Sequence, residues 1–258
     1  MSYQLIKKGA KLPAVGIIQK LLNRTGATLD VDGDFGSKTK TAVQKFQNER
    51  GLMPDGDVGK ITYPRLVAGE DRMLIVDLVD IFDPDLKDRE ARDVLKVGGI
   101  AISISGMSNG VEQAVHDIVQ IVPNGSVFLL RVHGHGASGM AGISEGTGGE
   151  GYGHGSSINY ANWDYVGPII TRLRPIFGPY GCIEFMHCET GSGPLGRQLL
   201  SNIANTVGVP ATAALRVQYG GGKSTFTFEG PTYTALPGGR SLKSWCQSIP
   251  NFAEMSVP

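Results

Sequence analysis

The stretch Asp32-Gly33-Asp34-Phe35-Gly36-Ser37-Lys38-Thr39 returns 23 residues later as Asp55-Gly56-Asp57-Val58-Gly59-Lys60-Ile61-Thr62. A repeat of this kind constrains the opening part of the chain more than any other feature. Each copy has an Asp-Gly turn, a second glycine three residues on and a polar helix start. Between the copies, Ala42, Val43, Phe46 and Gln47 have the spacing of a helix that sends Val43 and Phe46 to a core. Upstream, Val15, Ile18, Leu21 and Leu22 mark another amphipathic helix. The pattern predicts three short helices joined by Asp-Gly turns. Asp30-x-Asp32-Gly33-Asp34 has the look of a calcium loop, but its glycine is fourth rather than sixth and Thr41 stands where the bidentate Glu belongs. These are structural turns.

Beyond the polar junction Gly69-Glu70-Asp71-Arg72 the pattern changes to strands alternating with helices. Strands are expected at 73–81, 97–105, 125–132, 182–186 and 209–215, and helices around 111–119, 163–177 and 195–207. Such alternation predicts an α/β domain with a mainly parallel sheet and helices on both faces. The expected organisation is a small all-α domain over 1–68 and an α/β domain over 74–258.

The charge supports a division near residue 70. Residues 1–68 carry 11 Lys/Arg against 6 Asp/Glu, and the rest carries 13 against 18, so a net +5 and a net −5 cancel. No Lys/Arg run or aromatic–basic interleaving suggests a nucleic-acid partner. Three unevenly spaced cysteines, Cys182, Cys188 and Cys246, give neither a disulfide framework nor a C-x-x-C zinc pair. No apolar run is long enough to span a membrane, and the first residues lack the apolar segment of a signal peptide. If the protein acts outside its cell, the expectation is that it leaves by a route other than the common secretory one.

In parallel α/β sheets, reactive groups gather beyond the carboxyl ends of the strands. One expected strand ends in Val132-His133-Gly134-His135-Gly136-Ala137-Ser138-Gly139, another in Phe185-Met186-His187-Cys188-Glu189-Thr190-Gly191. A thiol and an imidazole on neighbouring strand ends are the pair that nucleophilic catalysis needs. A glycine after the base lets a backbone N–H approach a developing oxyanion. Cys182 and Cys246 read as packing residues, as does His187. A zinc site would combine His133-x-His135 with His154, His187 or Glu189, although no specific metal motif is present, and no cofactor is expected. Residues 134–155 hold ten glycines; lacking a Gly-Lys-Ser/Thr sequence, they read as an active-site loop or a plain surface loop rather than a phosphate cradle.

Two family resemblances rest on these residues. From Val15 through Leu21-Leu22, Val31-Asp32-Gly33-Asp34-Phe35-Gly36, Thr39, Ala42-Val43, Phe46-Gln47, Gly51-Leu52, Asp55-Gly56, Gly59, Thr62 and Leu66, the chain closely resembles the bacterial peptidoglycan-binding domain of the three-helix type. That resemblance covers most of 10–68 and implies a non-catalytic wall-binding module, with no ligand contacts assigned. A strand ending His135-Gly136-Ala137-Ser138-Gly139, followed by one leading to Cys188, resembles the caspase-like cysteine peptidases of clan CD over about 97–215. The tail, Phe228-Glu229-Gly230-Pro231-Thr232 and Gly238-Gly239 to Trp245, is similar to a less characterised bacterial branch of that fold. The resemblance implies His135 as catalytic histidine, Cys188 as nucleophile, and Gly136 with the Cys188 backbone as oxyanion donors; His133 and Glu189 are secondary candidates. The resemblance identifies no residues for the substrate pocket that gives family members their preference for Asp, Arg or Lys. The expected protein is a wall-targeted cysteine hydrolase with a Cys-His dyad, made in the bacterial cytoplasm and acting at the cell wall or periplasm after specialised or non-classical secretion, in the setting of a secreted antibacterial effector with an immunity protein as partner. The alternatives are a non-catalytic wall-binding protein with an inactive caspase-like fold, and a zinc-dependent cell-wall amidase.

Overall fold

The computed structural model describes residues 2–70, 72–144 and 155–253. The chain forms two compact units: Tyr3–Glu70 with Arg240–Pro258, and Met1–Ser2 with Asp71–Gly239.

In the first unit, α1 (Pro13–Asn23) opens with a proline, whose missing N–H costs nothing in a first helical turn. Ten of its eleven residues are buried, so it needs cover on more sides than α2 (Ser37–Glu49) and α3 (Thr62–Leu66) supply. The helix Leu242–Ser248 completes that cover, with Trp245 and Cys246 buried. A side chain at Gly16 would run into Cys246, so this glycine is what lets the C-terminal helix approach α1. Lys20 Nζ donates to Asn251 Oδ1 at 2.6 Å and Lys243 pairs with Asp30 at 2.6 Å. The sequence reading ran the second domain to residue 258; the structure corrects that boundary, because the exposed side of α1 draws the last segment into the helical unit.

The 23-residue echo has a physical cause that the turn chemistry alone did not reveal. Gln19, buried on α1, reaches Asp32 Oδ1 (2.8 Å), the Asp34 carbonyl (3.1 Å) and Thr39 Oγ1 (3.3 Å) through Nε2, while its Oε1 accepts from Gly33 N (3.0 Å). Gln47, buried on α2, repeats this with Asp55 Oδ1 (2.7 Å), the Asp57 carbonyl (3.0 Å), Thr62 Oγ1 (2.9 Å) and Gly56 N (2.9 Å). Each Asp-Gly turn is thus clamped to the preceding helix by one amide. Asp32 and Asp55 each spend Oδ1 on these turns, accepting from the glutamine and from the backbone N–H two residues on, in keeping with structural turns.

The second unit carries a six-stranded sheet of β1 (Leu74–Asp80), β2 (Ile100–Ile104), β3 (Val127–His133), β7 (Phe177–Phe185), β8 (Ala211–Ala214) and β9 (Thr232–Ala235), in the order β2-β1-β3-β7-β8-β9. All neighbours are parallel except β8 and β9, so the sheet is mixed rather than purely parallel. Between β3 and β7 the chain forms a three-stranded antiparallel sheet of β4 (Gly136–Ala137), β5 (Met140–Gly142) and β6 (Ser157–Asn159). The start of the glycine-rich stretch is therefore a hairpin. The remainder, including Gly146 to Gly151 and His154, lies outside the described residues.

Alternate residues of the strands face opposite ways. One face sends Leu78, Val132 and Phe185 into an apolar core with helices Gly110–Ile121, Trp163–Thr171 and Gly193–Val207. Phe177, expected to end a helix, instead begins β7. The other face carries a polar row, in register across four strands: Asp77, Arg131, Glu184 and Thr212, each buried. On this face, between β1 and β2, lies a helical stretch that the sequence reading did not anticipate. It runs from Pro84–Leu86 through a π-helical turn, Lys87–Ala91, to Arg92–Lys96. Helices thus cover both faces, as expected.

Candidate active site

β3 and β7 lie side by side and parallel, so the segments that follow them emerge at one end of the sheet. They are stitched together there. The chain turns from β3 into the β4–β5 hairpin, where Gly142 N donates to the His135 carbonyl at 2.8 Å. The His187 ring N–H, on Nε2, donates to the Gly142 carbonyl (2.8 Å), Thr190 Oγ1 donates to the Met140 carbonyl (2.7 Å) and Ser138 Oγ to the Ser192 carbonyl (2.6 Å). Gly136 belongs to this seam. A Cβ there would stand 2.5 Å from Thr190 Oγ1 and 2.8 Å from the Cys188 carbonyl oxygen, so only glycine lets the two segments close.

His135 and Cys188 line one cleft of about 140 Å³, together with Asp83, Asp85, Arg89, Glu90, Met186 and Gln218–Gly220. The His135 side chain is 60% exposed, and its Nε2 meets Asp83 Oδ2 at 2.6 Å. Asp83 also accepts from Asp85 N at 2.7 Å, capping the short helix Pro84–Leu86. The His135 hydrogen bond, helped by the backbone N–H of Asp85, holds the Asp83 carboxyl below the usual carboxylate range. With Nε2 engaged, Nδ1 is the ring nitrogen left for chemistry.

Cys188 is half-buried. Gln218 N donates to its sulfur at 3.3 Å, and the sulfur lies 3.4 Å from the Gln218 carbonyl oxygen. The next residue, Glu189, is exposed and takes φ = 53°, the single non-glycine in the left-handed region among the described residues. That conformation costs an L-residue ~1–2 kcal/mol and is held by Glu189 N donating to Arg216 O at 3.1 Å. Cys182 and Cys246 are buried, and burial pushes the Cys246 thiol up to about 12.

Beneath the cleft lies a buried ion cluster. His133 is bound on both ring nitrogens, Nδ1 to Glu90 Oε2 (2.9 Å) and Nε2 to Asp77 Oδ1 (3.0 Å). Arg131 reaches Asp77 through Nε (2.6 Å) and Nη2 (3.1 Å), and its Nη2 donates to Ser2 Oγ at 2.8 Å. Burial opposes charge on His133, but the carboxylates of Glu90 and Asp77 outweigh it and raise the imidazole to about 9. His187 is equally buried but lacks such partners; burial pushes it down to about 4, and its Nδ1 has no hydrogen-bond partner among the described residues.

The structure thus brings His135 and Cys188 to one cleft, with Gly136 and Glu189 on the segments that carry them. His133 lies beneath it, and as it stands offers no ring nitrogen to a metal. Among the described residues no group of three His, Cys, Asp or Glu side chains is placed to hold a metal ion. Sequence reasoning missed Asp83, Glu90, Asp77 and Arg131. Asp83-Pro84 was the available signal, an N-cap residue followed by a first-turn proline.

Residues 11–66 match the family model described as a putative peptidoglycan binding domain; the chain carries a peptidoglycan-binding module. Over 37 residues it is 62% identical to an uncharacterized protein in the bpoA1 3' region of Kitasatospora aureofaciens, covering 14% of this chain and 31% of that one. Over 47 residues it is 47% identical to the zinc D-Ala-D-Ala carboxypeptidase of Streptomyces albus G, covering 18% of each. The chain therefore spans less than a third of either curated relative. Among solved structures, the SleB N-terminal domain is 40% identical over 26% of this chain and 93% of its own, with a TM-score of 0.25. No helix among the described residues is long and apolar enough to cross a membrane.

Proposed function

We propose that the α/β unit is a cysteine hydrolase that cleaves an amide bond in a cell-wall peptide or a wall-associated protein, and that the helical unit holds it there. The observation that carries this reading is the shared cleft: Cys188 and His135 line it together, and the far nitrogen of His135 is fixed by Asp83 at 2.6 Å. That arrangement supplies a nucleophile, a base and a group that orients the base. The parallel pairing of β3 with β7 supports the caspase-like reading of the two strand ends.

In this mechanism His135 Nδ1 takes the Cys188 thiol proton and the sulfur attacks the substrate carbonyl carbon. The carbonyl oxygen becomes an oxyanion, for which the resemblance implies the backbone N–H groups of Gly136 and Cys188 as donors. As the C–N bond breaks, His135 returns its proton to the departing amine, leaving a thioester on Cys188. Water, deprotonated by the same imidazole, releases the acid and restores the thiol. Asp83 keeps the ring in one orientation and stabilises the imidazolium. Tethering by the wall-binding module raises the local substrate concentration.

Digestion of purified cell wall, followed by mass analysis of the released fragments, tests the proposal. Cys188→Ala is expected to reduce release at least ~10³-fold and His135→Ala ~10²–10⁴-fold, while wall binding is retained. Equal release by wild type and Cys188→Ala overturns thiol catalysis; if that release is abolished by a chelator, the zinc amidase takes its place. Wall binding with no release by any form identifies a non-catalytic binder.

A further inference from the structure

The Cys188 sulfur is engaged by a part of the chain that the thiol mechanism does not use. Its thiol donates to the Gln218 carbonyl at 3.4 Å, and Gln218 N donates to the sulfur at 3.3 Å; no hydrogen bond joins the sulfur to His135 among the described residues. Gln218 belongs to the connection from β8 to β9. The near end of that connection is pinned, since Glu189 N donates to Arg216 O and Leu215 N to Pro231 O. Its far end is buried at Thr225 and Phe226, with the Arg131 guanidinium over the Phe226 ring. Residues 216–224 in between are exposed or half-buried. Two carboxylates clasp them. Glu229 accepts from Tyr219 N and from Ser224 Oγ (2.6 Å), and its own N–H donates to Gln218 Oε1 (3.0 Å). Asp93 accepts from Gly222 N and from Thr225 Oγ1 (3.2 Å). Three successive glycines, Gly220, Gly221 and Gly222, have φ of 63°, 79° and 60°. At Gly222 a side chain would meet nothing within 4 Å, so there the backbone conformation alone calls for glycine.

We propose that residues 217–224 form a strap that keeps Cys188 latent. With Gln218 on the sulfur, the thiol proton is committed to a main-chain carbonyl rather than to His135; the strap leaves the sulfur, turning on its three glycines, when a substrate enters the cleft. The proposal rests on reading Cys188 as the nucleophile. The build of the segment suits a reversible cover. Glycine changes φ without a Cβ clash, so the run offers a hinge. The Glu229 clasp lies at the surface, where a charge-assisted bond competes with water and is weak enough to open. The pinned ends at Arg216 and Phe226 confine the movement to the strap and leave β8, β9 and the ion cluster in place.

Alkylation of Cys188 by iodoacetamide in the full-length protein, followed site by site with mass spectrometry, tests the strap without relying on turnover. The buried Cys182 and Cys246 are internal controls. Glu229→Ala removes one clasp. Gly222→Ala disfavours the closed backbone while adding its methyl to open space, so it keeps the fold even where Glu229→Ala does not. Each is expected to speed Cys188 alkylation ~3–10-fold over wild type, and the two together by more, while Cys182 and Cys246 stay slow. A Cys188 rate unchanged in Gly222→Ala overturns the strap. A rate that falls shows that Gln218 supports the reactivity of the sulfur instead, and overturns it equally. Faster alkylation with no wall digestion by any form keeps the strap and sinks the hydrolase. Digestion that depends on Cys188, with alkylation indifferent to both variants, sinks the strap alone.

Discussion

In the helical unit the buried polar side chains that organise the fold are two amides, Gln19 and Gln47, each clamping an Asp-Gly turn in the same way. In the α/β unit they are charges, Asp77, Glu90, Arg131 and His133, which converge beneath the end of the sheet where the cleft opens. A neutral amide satisfies the donors and acceptors of a turn without removing a full charge from water, so the device can be duplicated cheaply. An ion cluster must overcome desolvation of every member and gives less stability than apolar packing of the same volume. Its presence under the cleft therefore points to positioning. It fixes His133, and through the following Gly134 the start of the segment that carries His135.

The sharpest way to break this comparison is to remove the central member of each network. His133→Leu leaves Glu90 and Asp77 facing an apolar side chain and is expected to destabilise the α/β unit by ~3–5 kcal/mol. The two tryptophans allow each unit to be followed alone, since Trp163 belongs to the α/β unit and Trp245 to the helical one. Urea unfolding of His133→Leu, measured in Trp245→Phe and Trp163→Phe backgrounds, is expected to move the Trp163 transition by far the more. A Trp163 midpoint unchanged by His133→Leu would show that the ion cluster contributes nothing net to its unit.

The amide clamps predict a smaller and duplicated effect. Gln47→Leu strands Gly56 N, the Asp57 carbonyl and the Asp55 carboxylate at a turn that water can partly reach, so a loss of ~1–3 kcal/mol is expected in the Trp245 transition. Gln19→Leu is expected to fall in the same range, because it loses the same four contacts together with one more, the bond from Asp32 N to Gln19 Oε1. A large difference between the two variants would show that the repeat is one of sequence alone.

How much of this was legible in the sequence follows from the same contrast. The repeat, the amphipathic helices and the strand alternation are periodic signals, and they placed α1, α2 and most strands of the sheet within a few residues. Gln19 escaped because its partners lie 13 to 20 residues away and its distance to them differs from that of Gln47, so the echo of 23 passes it by. His135 and Cys188 were legible because strand ends followed by glycine-rich turns advertise a site. Asp83 and Glu90 were not, because they meet the histidines across 52 and 43 residues, on a helical stretch with an irregular π turn that weakens the 3.6-residue period. Sequence order assigns the C-terminal helix to the α/β domain, whereas the packing of Cys246 against Gly16 and the Lys20–Asn251 and Lys243–Asp30 contacts place it on the helical unit.

The finest test lies within the α/β unit, between its two fully buried histidines. His133 is raised to about 9 by carboxylates that outweigh its burial, so the folded state keeps a proton that the unfolded chain begins to lose near pH 6.5. Its contribution is full below about 6.5 and drains away as pH rises through 9. His187, pushed down to about 4 by burial, acts with the opposite sign. Below about 6.5 the unfolded chain binds a proton that the folded state refuses, so stability falls as pH drops from 6.5 towards 4. Stability of the Trp163-bearing unit is therefore expected to peak near pH 6.5 and decline on both sides. His187→Asn should flatten the acid limb alone, and His133→Leu the alkaline limb alone. An alkaline limb that survives in His133→Leu would assign the proton to another group and detach the ion cluster from the charge state inferred for it.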